Sequence, residues 1–287
     1  MPTGGELIVR CLERQGVDRV FCVPGESYLP VLDALRDSPI DVVVARQEGG
    51  AAMMAEADGK LTGRPGVCLV TRGPGATNAA AGVHVAKQDS TPMLLLVGQI
   101  GRGMRGREAF QEVDYRQTFR DLAKCVEEID RPERVPEILS HAVSVALSGR
   151  PGPVVLSLPE DMLRETAEAA PGPRVAAPEA APSPADAARA AEMLAEAERP
   201  IVVAGGSRWD AEAVAALRRF AEAWDVPVGC SFRRQGMFDH LHPAYAGDVG
   251  LGINPKLRAR IAGSDLLLLV GARFSENPSQ DFSLLGI

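Results

Sequence analysis

The sequence predicts an α/β protein with two successive parallel sheets, each flanked by helices. Short apolar runs rich in valine, isoleucine and leucine alternate with stretches whose apolar residues recur at helical spacing. Glycine or proline follows several of these runs, as expected where a strand ends. A proline-rich segment then divides the chain. Because parallel strands need crossover connections, alternating strands and helices favour a parallel sheet covered on both faces.

The first sheet is predicted within residues 1–165, and its elements follow from the spacing of apolar residues. They are a helix over 5–15, strands over 20–23 and 41–45 with a helix through 29–35 between them, a helix over about 49–61, a strand over 67–71, a small-residue helix, a strand over 93–97, a helix over 136–147 and a strand over 154–158. Pro24-Gly25 ends the first strand and Gly73-Pro74-Gly75 ends the third.

Residues 166–184 are predicted to be a linker, because they combine five prolines with alanines and proline favours extended chain. A partial doubly wound α/β domain follows over 185–287. It is predicted to contain helices over about 184–197 and through 214–220, and strands over 201–204, 226–230 and 266–270. Doubly wound domains usually have five or six strands. Because only three strands are predicted, we expect this domain to be incomplete. Either the chain is truncated or a partner completes the domain.

Charge, hydropathy and cysteine usage exclude several classes of protein. The net charge is −7 and no stripe of Lys or Arg is present, which argues against a nucleic-acid partner. No apolar run approaches the ~20 residues that span a bilayer, and the N-terminus has no secretory signal pattern. A cytoplasmic protein without a membrane partner is expected. The five cysteines and four histidines show no ligand spacing, so no metal site is predicted.

Two turns at the ends of predicted strands are candidates for a functional site. Glu48 lies between a strand and a helix, at the sheet edge where open α/β folds bind ligands. The helix dipole also stabilises the negative charge of a carboxylate at this position. Composition alone, however, favours an ordinary glutamate in the first turn of a helix. Gly73-Pro74-Gly75 forms the second turn, which is equally compatible with a simple strand-to-helix connection. Neither turn matches a phosphate-binding glycine motif.

Six segments, in order from about residue 4 to 162, resemble thiamine-diphosphate-dependent enzymes, in particular acetolactate synthase large subunits. They are VFCVPGESYLPVLDAL, RQEGGAAMMAEADGKLTGRPG, TRGPGATNAAAG, DSTPMLLLVGQ, FQEVD and SGRPGPVVLSLPED. The resemblance implies that residues 1–165 have the thiamine-diphosphate-binding fold of a pyrimidine-binding domain and that 185–287 are part of the central domain. It also implies decarboxylation and carboligation of a 2-oxo acid, with pyruvate as the default donor.

The resemblance assigns roles to individual residues of this sequence. The glutamate that aligns with Glu48 hydrogen-bonds N1′ of the aminopyrimidine ring and promotes proton removal from the thiazolium carbon. Gln111 is the second catalytic candidate. The remaining candidates are Pro24, Gly25, Gly73 and Asn78 for the cofactor and Phe110, Gln111 and Lys124 for the substrate. For Lys124, a surface position is equally compatible with the sequence.

Several positions depart from the family pattern. Glu26, Ser27 and Tyr28 stand where the family has small residues, and Arg72 replaces a small residue before Gly-Pro-Gly; the first three are expected to alter which oxo acid fits. Arg150 and Arg273 match positions that contact flavin in the synthases, although Arg150 is equally suited to capping the preceding helix. The Met-His-Gly stretch expected before residues 270–274 is missing, which argues against FAD.

The second half of the cofactor site is not predicted in this chain. Gly247-Asp248-Val249-Gly250 with Asn277 imitates the diphosphate motif, but Val249 replaces the required glycine and the segment lies in the central domain. Mg²⁺ and the diphosphate are therefore expected on an absent C-terminal domain, and a homodimer or homotetramer is expected. Alternatives are a 2-oxo-acid decarboxylase, an acyl-CoA lyase, a truncated or split non-catalytic subunit, and a nucleotide-binding protein that uses Gly205-Gly206.

Overall fold

A computed structural model describes residues 1–285 and divides into two compact units, Met1–Pro178 and the chain from Glu179 onward. Each unit is an α/β structure with one parallel sheet, as predicted. None of the helices within 1–285 is both long and apolar enough to cross a membrane.

The first unit contains six strands and six helices among the described residues. They are α1 (Gly4–Arg14), β1 (Arg19–Cys22), α2 (Leu29–Arg36), β2 (Asp41–Val44), α3 (Glu48–Thr62), β3 (Gly66–Val70), α4 (Pro74–Asp89), β4 (Met93–Gln99), α5 (Tyr115–Thr118), β5 (Cys125–Glu128), α6 (Val135–Leu147) and β6 (Pro153–Pro159). The sheet order is β2-β1-β3-β4-β6-β5. Sequence patterning missed β5, because this edge strand reads Cys-Val-Glu-Glu and is only half-buried.

Helices cover both faces of this sheet. Helices α1, α2 and α6 pack on one face and α3 and α4 on the other. The strands supply alternate side chains to the two cores, as the period of two in a strand requires. Small residues bring α3 and α4 together: a Cβ built on Gly82 would lie 2.4 Å from the Cβ of Ala52.

The strand order creates a crevice between β1 and β3. These neighbouring strands pair in parallel, but β1 leads to α2 on one face and β3 leads to α4 on the other. Diverging connections of this kind leave a gap at the carboxyl edge of the sheet, where α/β proteins bind ligands. The turns at Pro24-Gly25 and Gly73 both lie at this edge.

The first part of the predicted linker lies against the first unit. Thr166 forms an antiparallel bridge with Thr3. The Gln15 side chain donates to the Pro173 carbonyl at 3.1 Å and accepts from the Val175 N–H at 2.9 Å. Helix α7 (Pro184–Glu196) then begins with Ser183 as its cap.

The second unit has four strands within residues 179–285, so the predicted three were too few. Its elements after α7 are β7 (Pro200–Ala204), α8 (Ala211–Trp224), β8 (Val228–Ser231), β9 (Tyr245–Val249), α9 (Pro255–Ala262), β10 (Leu266–Val270) and α10 (Glu276–Ser279), with sheet order β10-β7-β8-β9. Strand β9 was missed because it contains Gly247 and Asp248, and because it is irregular: Gly247 has φ +123° and the register shifts beside it.

Candidate functional site

Glu48 is the first residue of α3, shortly after β2 ends at the carboxyl edge of the sheet. The preceding residue, Gln47, caps the helix by accepting a hydrogen bond from the Gly50 N–H at 2.9 Å. Glu48 is half-buried, and the positive end of the α3 dipole stabilises its negative charge. The helix start therefore holds a carboxylate that solvent or a ligand can still reach.

Asn78 of α4 orients this carboxylate. Its side-chain Nδ2 donates to Glu48 Oε2 at 3.0 Å. Among residues 1–285, Glu48 Oε1 has no hydrogen-bond partner, and a Cβ built on Gly75 would lie 3.5 Å from it. The absence of a side chain at Gly75 leaves space beside this oxygen. One oxygen is thus held by the protein and the other is available.

The charge of Glu48 acts on groups beneath the β1–β3 crevice. Burial raises the pKa of Tyr28 and of Cys68, and the Glu48 carboxylate adds to both increases. The Tyr28 hydroxyl lies between β1 and β3, since it donates to the Val23 carbonyl and contacts the Leu69 carbonyl at 3.4 Å. Glu48 therefore lies near the place where the two chain connections diverge.

The Gly73 turn lies at the same edge and contacts Gln111. Gly73 has φ +59°, and a Cβ built there would lie 2.7 Å from the Gln111 Cβ. The Gly73 N–H donates to the Tyr115 hydroxyl oxygen at 2.9 Å. Sequence reasoning did not single out Tyr115, because no motif or spacing marks this residue. Gln111 itself has φ +64°, so the structure brings two left-handed residues into contact.

The Pro24-Gly25 turn packs directly on the end of β3. A Cβ built on Gly25 would lie 2.4 Å from the Thr71 Cβ, so a larger residue cannot fit without movement. Ser27 is fully buried, and its Oγ lies 2.8 Å from Thr71 Oγ1. Pro24 is exposed at the tip of the turn. This arrangement joins the turns that follow β1 and β3.

The loop over residues 101–114 carries Phe110 and Gln111 and is folded around one carboxylate. Glu112 accepts hydrogen bonds from the Gly106 N–H at 2.7 Å and the Ala109 N–H at 3.1 Å. Phe110 is 75% exposed, so this large apolar side chain has little contact within the first unit. A cavity of about 280 Å³ lies beside the loop and is lined by Tyr115, Arg105 and Glu128, among others.

Neutralising Glu112 is expected to loosen this loop. The hydrogen bonds from Gly106 and then Ala109 lower the pKa of Glu112 below its ordinary value. A depressed folded-state pKa means that the stabilisation is complete above the unfolded pKa of ~4.3 and is lost as the pH falls through the folded pKa. Amide exchange at Gly106 and Ala109 should therefore accelerate in Glu112→Gln at pH 7, and in the unmodified protein only in acid.

Glu108→Gln is the matched control, because the exposed Glu108 carboxylate accepts no hydrogen bond from the described part of the chain. Equal exchange rates of the Gly106 and Ala109 amides in Glu112→Gln and Glu108→Gln would show that the Glu112 carboxylate does not stabilise the loop.

Lys124 is not brought together with these residues. It precedes β5, its N–H donates to the Pro153 carbonyl at the start of β6, and so it lies at the amino edge of the sheet. Its ammonium group donates to the Ser148 carbonyl at 2.7 Å and to the Val145 carbonyl, at the C-terminal end of α6. A lysine in this place stabilises the last carbonyls of the helix.

The two candidate flavin residues lie in different units, and the one in the first unit is at the amino edge of the sheet. Arg150 donates to Ser90 Oγ at 2.8 Å and to the Gln88 carbonyl at 3.0 Å. It therefore caps the C-terminal end of α4. Arg273 is an exposed residue of the second unit.

The glycine motifs of the second unit have structural explanations. Asp248 lies on β9, and its Oδ1 accepts a hydrogen bond from the Gln235 side chain at 3.0 Å. Gly206 has φ +78°, and a Cβ there would lie 2.0 Å from the Gly271 carbonyl oxygen. No group of three or more potential metal ligands occurs within residues 1–285.

Comparison with known proteins agrees with this fold. Residues 2–118 match the family model described as "Thiamine pyrophosphate enzyme, N-terminal TPP binding domain". Residues 187–284 match the model described as "Thiamine pyrophosphate enzyme, central domain". The chain therefore belongs to the thiamine pyrophosphate (thiamine diphosphate) enzyme family and contains these two domains.

Within that family, the chain is similar to acetolactate synthase large subunits. It is 36% identical over 273 residues to the isozyme 2 large subunit of Escherichia coli K12, covering 95% of this chain and 50% of the relative. It is 35% identical over 285 residues to the probable large subunit of Methanocaldococcus jannaschii, covering 97% and 48%. The chain spans about half the length of the curated relatives it matches.

The residues at the crevice fit the pyrimidine end of thiamine diphosphate. Glu48 presents an oxygen that has no hydrogen-bond partner in the described part of the chain, Asn78 fixes the other oxygen, and Gly75 leaves space beside the carboxylate. A ring nitrogen of the cofactor is a suitable partner for that oxygen. The family to which the chain belongs implies the same cofactor.

Proposed function

We propose that this chain supplies the pyrimidine-binding half of a thiamine diphosphate site in an enzyme that decarboxylates a 2-oxo acid and joins the product to an acceptor. The observation that carries the proposal is Glu48, a half-buried carboxylate oriented by Asn78 at the crevice between β1 and β3. The similarity to acetolactate synthase large subunits makes pyruvate the first donor to test.

Each residue of the site has a part in this proposal. Glu48 Oε1 would share a proton with the pyrimidine ring nitrogen, while Asn78 keeps the carboxylate in place. Gly25 and Gly73 would let the backbone approach the cofactor, and Pro24 shapes the first turn. When bound, thiamine diphosphate supplies a nucleophilic carbon for reaction with the 2-oxo acid, and the protein positions and tunes it.

Gln111 and Phe110 are proposed to face the substrate. Gln111 contacts the Gly73 turn, and the exposed Phe110 is its neighbour on the same loop. An amide and an apolar ring suit a small 2-oxo acid, which has polar oxygens and a short carbon chain. Lys124 has no such support, because its ammonium group caps α6 at the other edge. Operation without FAD stays a prediction, and the capping role of Arg150 is compatible with it.

The diphosphate and Mg²⁺ are proposed to bind to a separate region, on another subunit of a homodimer or homotetramer. Mg²⁺ prefers carboxylate and carbonyl oxygens in octahedral geometry, and residues 1–285 contain no group of three or more His, Cys, Asp or Glu side chains that could hold a metal ion. The outer side of α3 and α4 suits a partner: Met53 and Met54 are partly exposed there, whereas Ala51, Ala52 and Ala79 are buried within the unit.

The chain by itself is therefore expected to bind thiamine diphosphate and Mg²⁺ weakly and to show no turnover. Calorimetry measures the binding, and release of CO₂ from pyruvate measures the turnover. Co-expression with a segment that carries a Gly-Asp-Gly diphosphate motif should restore both. Light scattering should show self-association through the Met53 and Met54 surface.

Met53→Lys with Met54→Lys should reduce this association without unfolding the unit, since both side chains are partly exposed. A monomer that binds the cofactor tightly without any partner would contradict the shared site. A restored complex that binds the cofactor but turns over no 2-oxo acid would favour a non-catalytic subunit.

A further inference from the structure

Arg72 connects three segments at the carboxyl edge of the first sheet. Its Nη1 donates to Glu160 Oε2 at 2.9 Å, just after β6, and its Nη2 donates to Glu26 Oε1 at 3.3 Å, just after β1. Arg72 itself follows β3 and is 7% exposed. The guanidinium thus crosses the end of β4, which lies between β3 and β6 in the sheet.

Glu26 and Arg72 are in contact and form one ion pair, although they lie 46 residues apart in the sequence. Glu160 extends the pair to a network in which one guanidinium is shared by two carboxylates. Arginine suits this role because its planar guanidinium presents several N–H donors in fixed directions and can bind two carboxylates at once.

The Arg72 backbone is also hydrogen-bonded to the turn that follows β1. The Arg72 N–H donates to Ser27 Oγ at 3.3 Å, and Ser27 Oγ contacts Thr71 Oγ1 at 2.8 Å. Ser27 fits because residue 98 is glycine: a Cβ there would lie 2.0 Å from Ser27 Oγ. The turn after β1 and the end of β3 are consequently held together by both side-chain and backbone contacts.

Arg72 directly precedes the turn that positions α4. Gly73 is the cap residue of α4, and its N–H donates to the Tyr115 hydroxyl oxygen. The Thr77 N–H donates to the Gly73 carbonyl at 3.1 Å, and the next residue, Asn78, holds Glu48. A short path of covalent and hydrogen bonds thus leads from the Arg72 network to the Glu48 carboxylate.

We infer that Arg72 is a positioning residue for the cofactor site, acting through Gly73 and the start of α4 to keep Asn78 against Glu48. This inference rests on the proposed function. Glu26 and Glu160 hold the guanidinium in place. One Arg72 atom, Nε, is buried and has no hydrogen-bond partner within 1–285, so the guanidinium is kept in the interior without full satisfaction of its donors.

The first test uses the chain itself and needs no activity. Arg72→Met should accelerate amide exchange at Gly73 and Thr77 by about tenfold or more, because local opening then costs less free energy. Arg102→Met is the matched control: Arg102 also joins two carboxylates, those of Asp161 and Glu165, but touches neither Gly73 nor α4. Exchange at Gly73 and Thr77 should be unchanged there.

Conservative variants keep this test valid if Arg72→Met does not fold. Arg72→Lys and Glu26→Gln each retain part of the network and should give intermediate exchange rates at Gly73 and Thr77. Equal protection of these two amides in Arg72→Met, Arg72→Lys and the unmodified chain would overturn the inference, as would a uniform increase throughout the sheet.

The second test uses the catalytically complete enzyme and a double-mutant cycle. If Arg72 acts through Asn78, Arg72→Met with Asn78→Ala should lose no more kcat than Asn78→Ala alone, and the KM for the 2-oxo acid should change little. If the two substitutions reduced kcat by independent factors that multiply in the double variant, the inference would be overturned. Full activity of Glu48→Gln would contradict the proposed function instead, and the amide-exchange result would still stand or fall separately.

Discussion

Glu48→Gln is expected to fold normally and to reduce kcat of the complete enzyme by at least ~100-fold, the usual contribution of a general acid–base group. Glutamine has the same shape and can still accept the hydrogen bond from Asn78 Nδ2, which is 3.0 Å from Glu48 Oε2. It cannot ionise, so it cannot share a proton with the cofactor ring. The structure of the site would persist while its proton transfer is lost.

Turnover of pyruvate and the far-UV circular dichroism spectrum measure the two parts of this result. Glu108→Gln provides the control. The Glu108 side chain is exposed and has no hydrogen bond to the described chain, and its substitution by glutamine removes the same charge. Glu48→Asp retains the carboxylate but shortens its reach, so its kcat should lie between the two. Unchanged kcat in Glu48→Gln would remove the carboxylate from the mechanism.

Gly98→Ala is expected to destabilise the first unit by about 2–4 kcal/mol, combining overpacking with the loss of a buried hydrogen bond. A Cβ at residue 98 would lie 2.0 Å from Ser27 Oγ and 3.0 Å from the Ser27 carbonyl carbon. Ser27 is fully buried and hydrogen-bonded to Thr71, so it has no free space into which to move. The turn after β1 must shift as a whole.

Urea unfolding followed by circular dichroism, with amide exchange at residues of the first unit to assign the transition, gives this free energy. Gly103→Ala is the control at the same edge of the sheet, because no atom lies within 4 Å of a Cβ built there. Cofactor binding by the complete enzyme should fall in Gly98→Ala but not in Gly103→Ala. Equal stability of the two variants would mean that Ser27 does not require the glycine.

The contact between Glu26 and Arg72 changes the interpretation of the departures from the family pattern. Each residue alone looks like an isolated substitution. Together with Glu160 they form one ion network that connects the turn after β1 with the ends of β3 and β6. Because this network leads to Gly73 and α4, its effect on the choice of oxo acid would come through the shape of the site.

The small residues of α3 and α4 illustrate a choice that the sequence left open. Their composition is compatible with an interface between subunits and with packing inside one domain. The structure separates them: Ala51, Ala52 and Ala79 are buried in the unit, whereas Met53 and Met54 remain 39% and 36% exposed. Burial depends on where the helix lies against the sheet, which composition alone does not determine.

The sequence by itself determined the features that depend on local chemistry. Apolar periodicity predicts the parallel α/β class, and glycine and proline mark where strands end. Glu48 and Gly73 were therefore placed correctly at the carboxyl edge of the sheet. The chemical roles of Glu48 and Gln111 were not local information, since they came from resemblance to a known family.

Only the tertiary structure decided which distant residues meet. Arg72 contacts Glu26 and Glu160 across 46 and 88 residues of sequence, and Tyr115 reaches Gly73 across 42. The polar segments β5 and β9 form strands because they pair with neighbouring strands. Their own residue patterns do not predict a strand. Lys124 and Arg150 cap helices at the amino edge, because sheet order and crossover direction, which no short segment encodes, place them there.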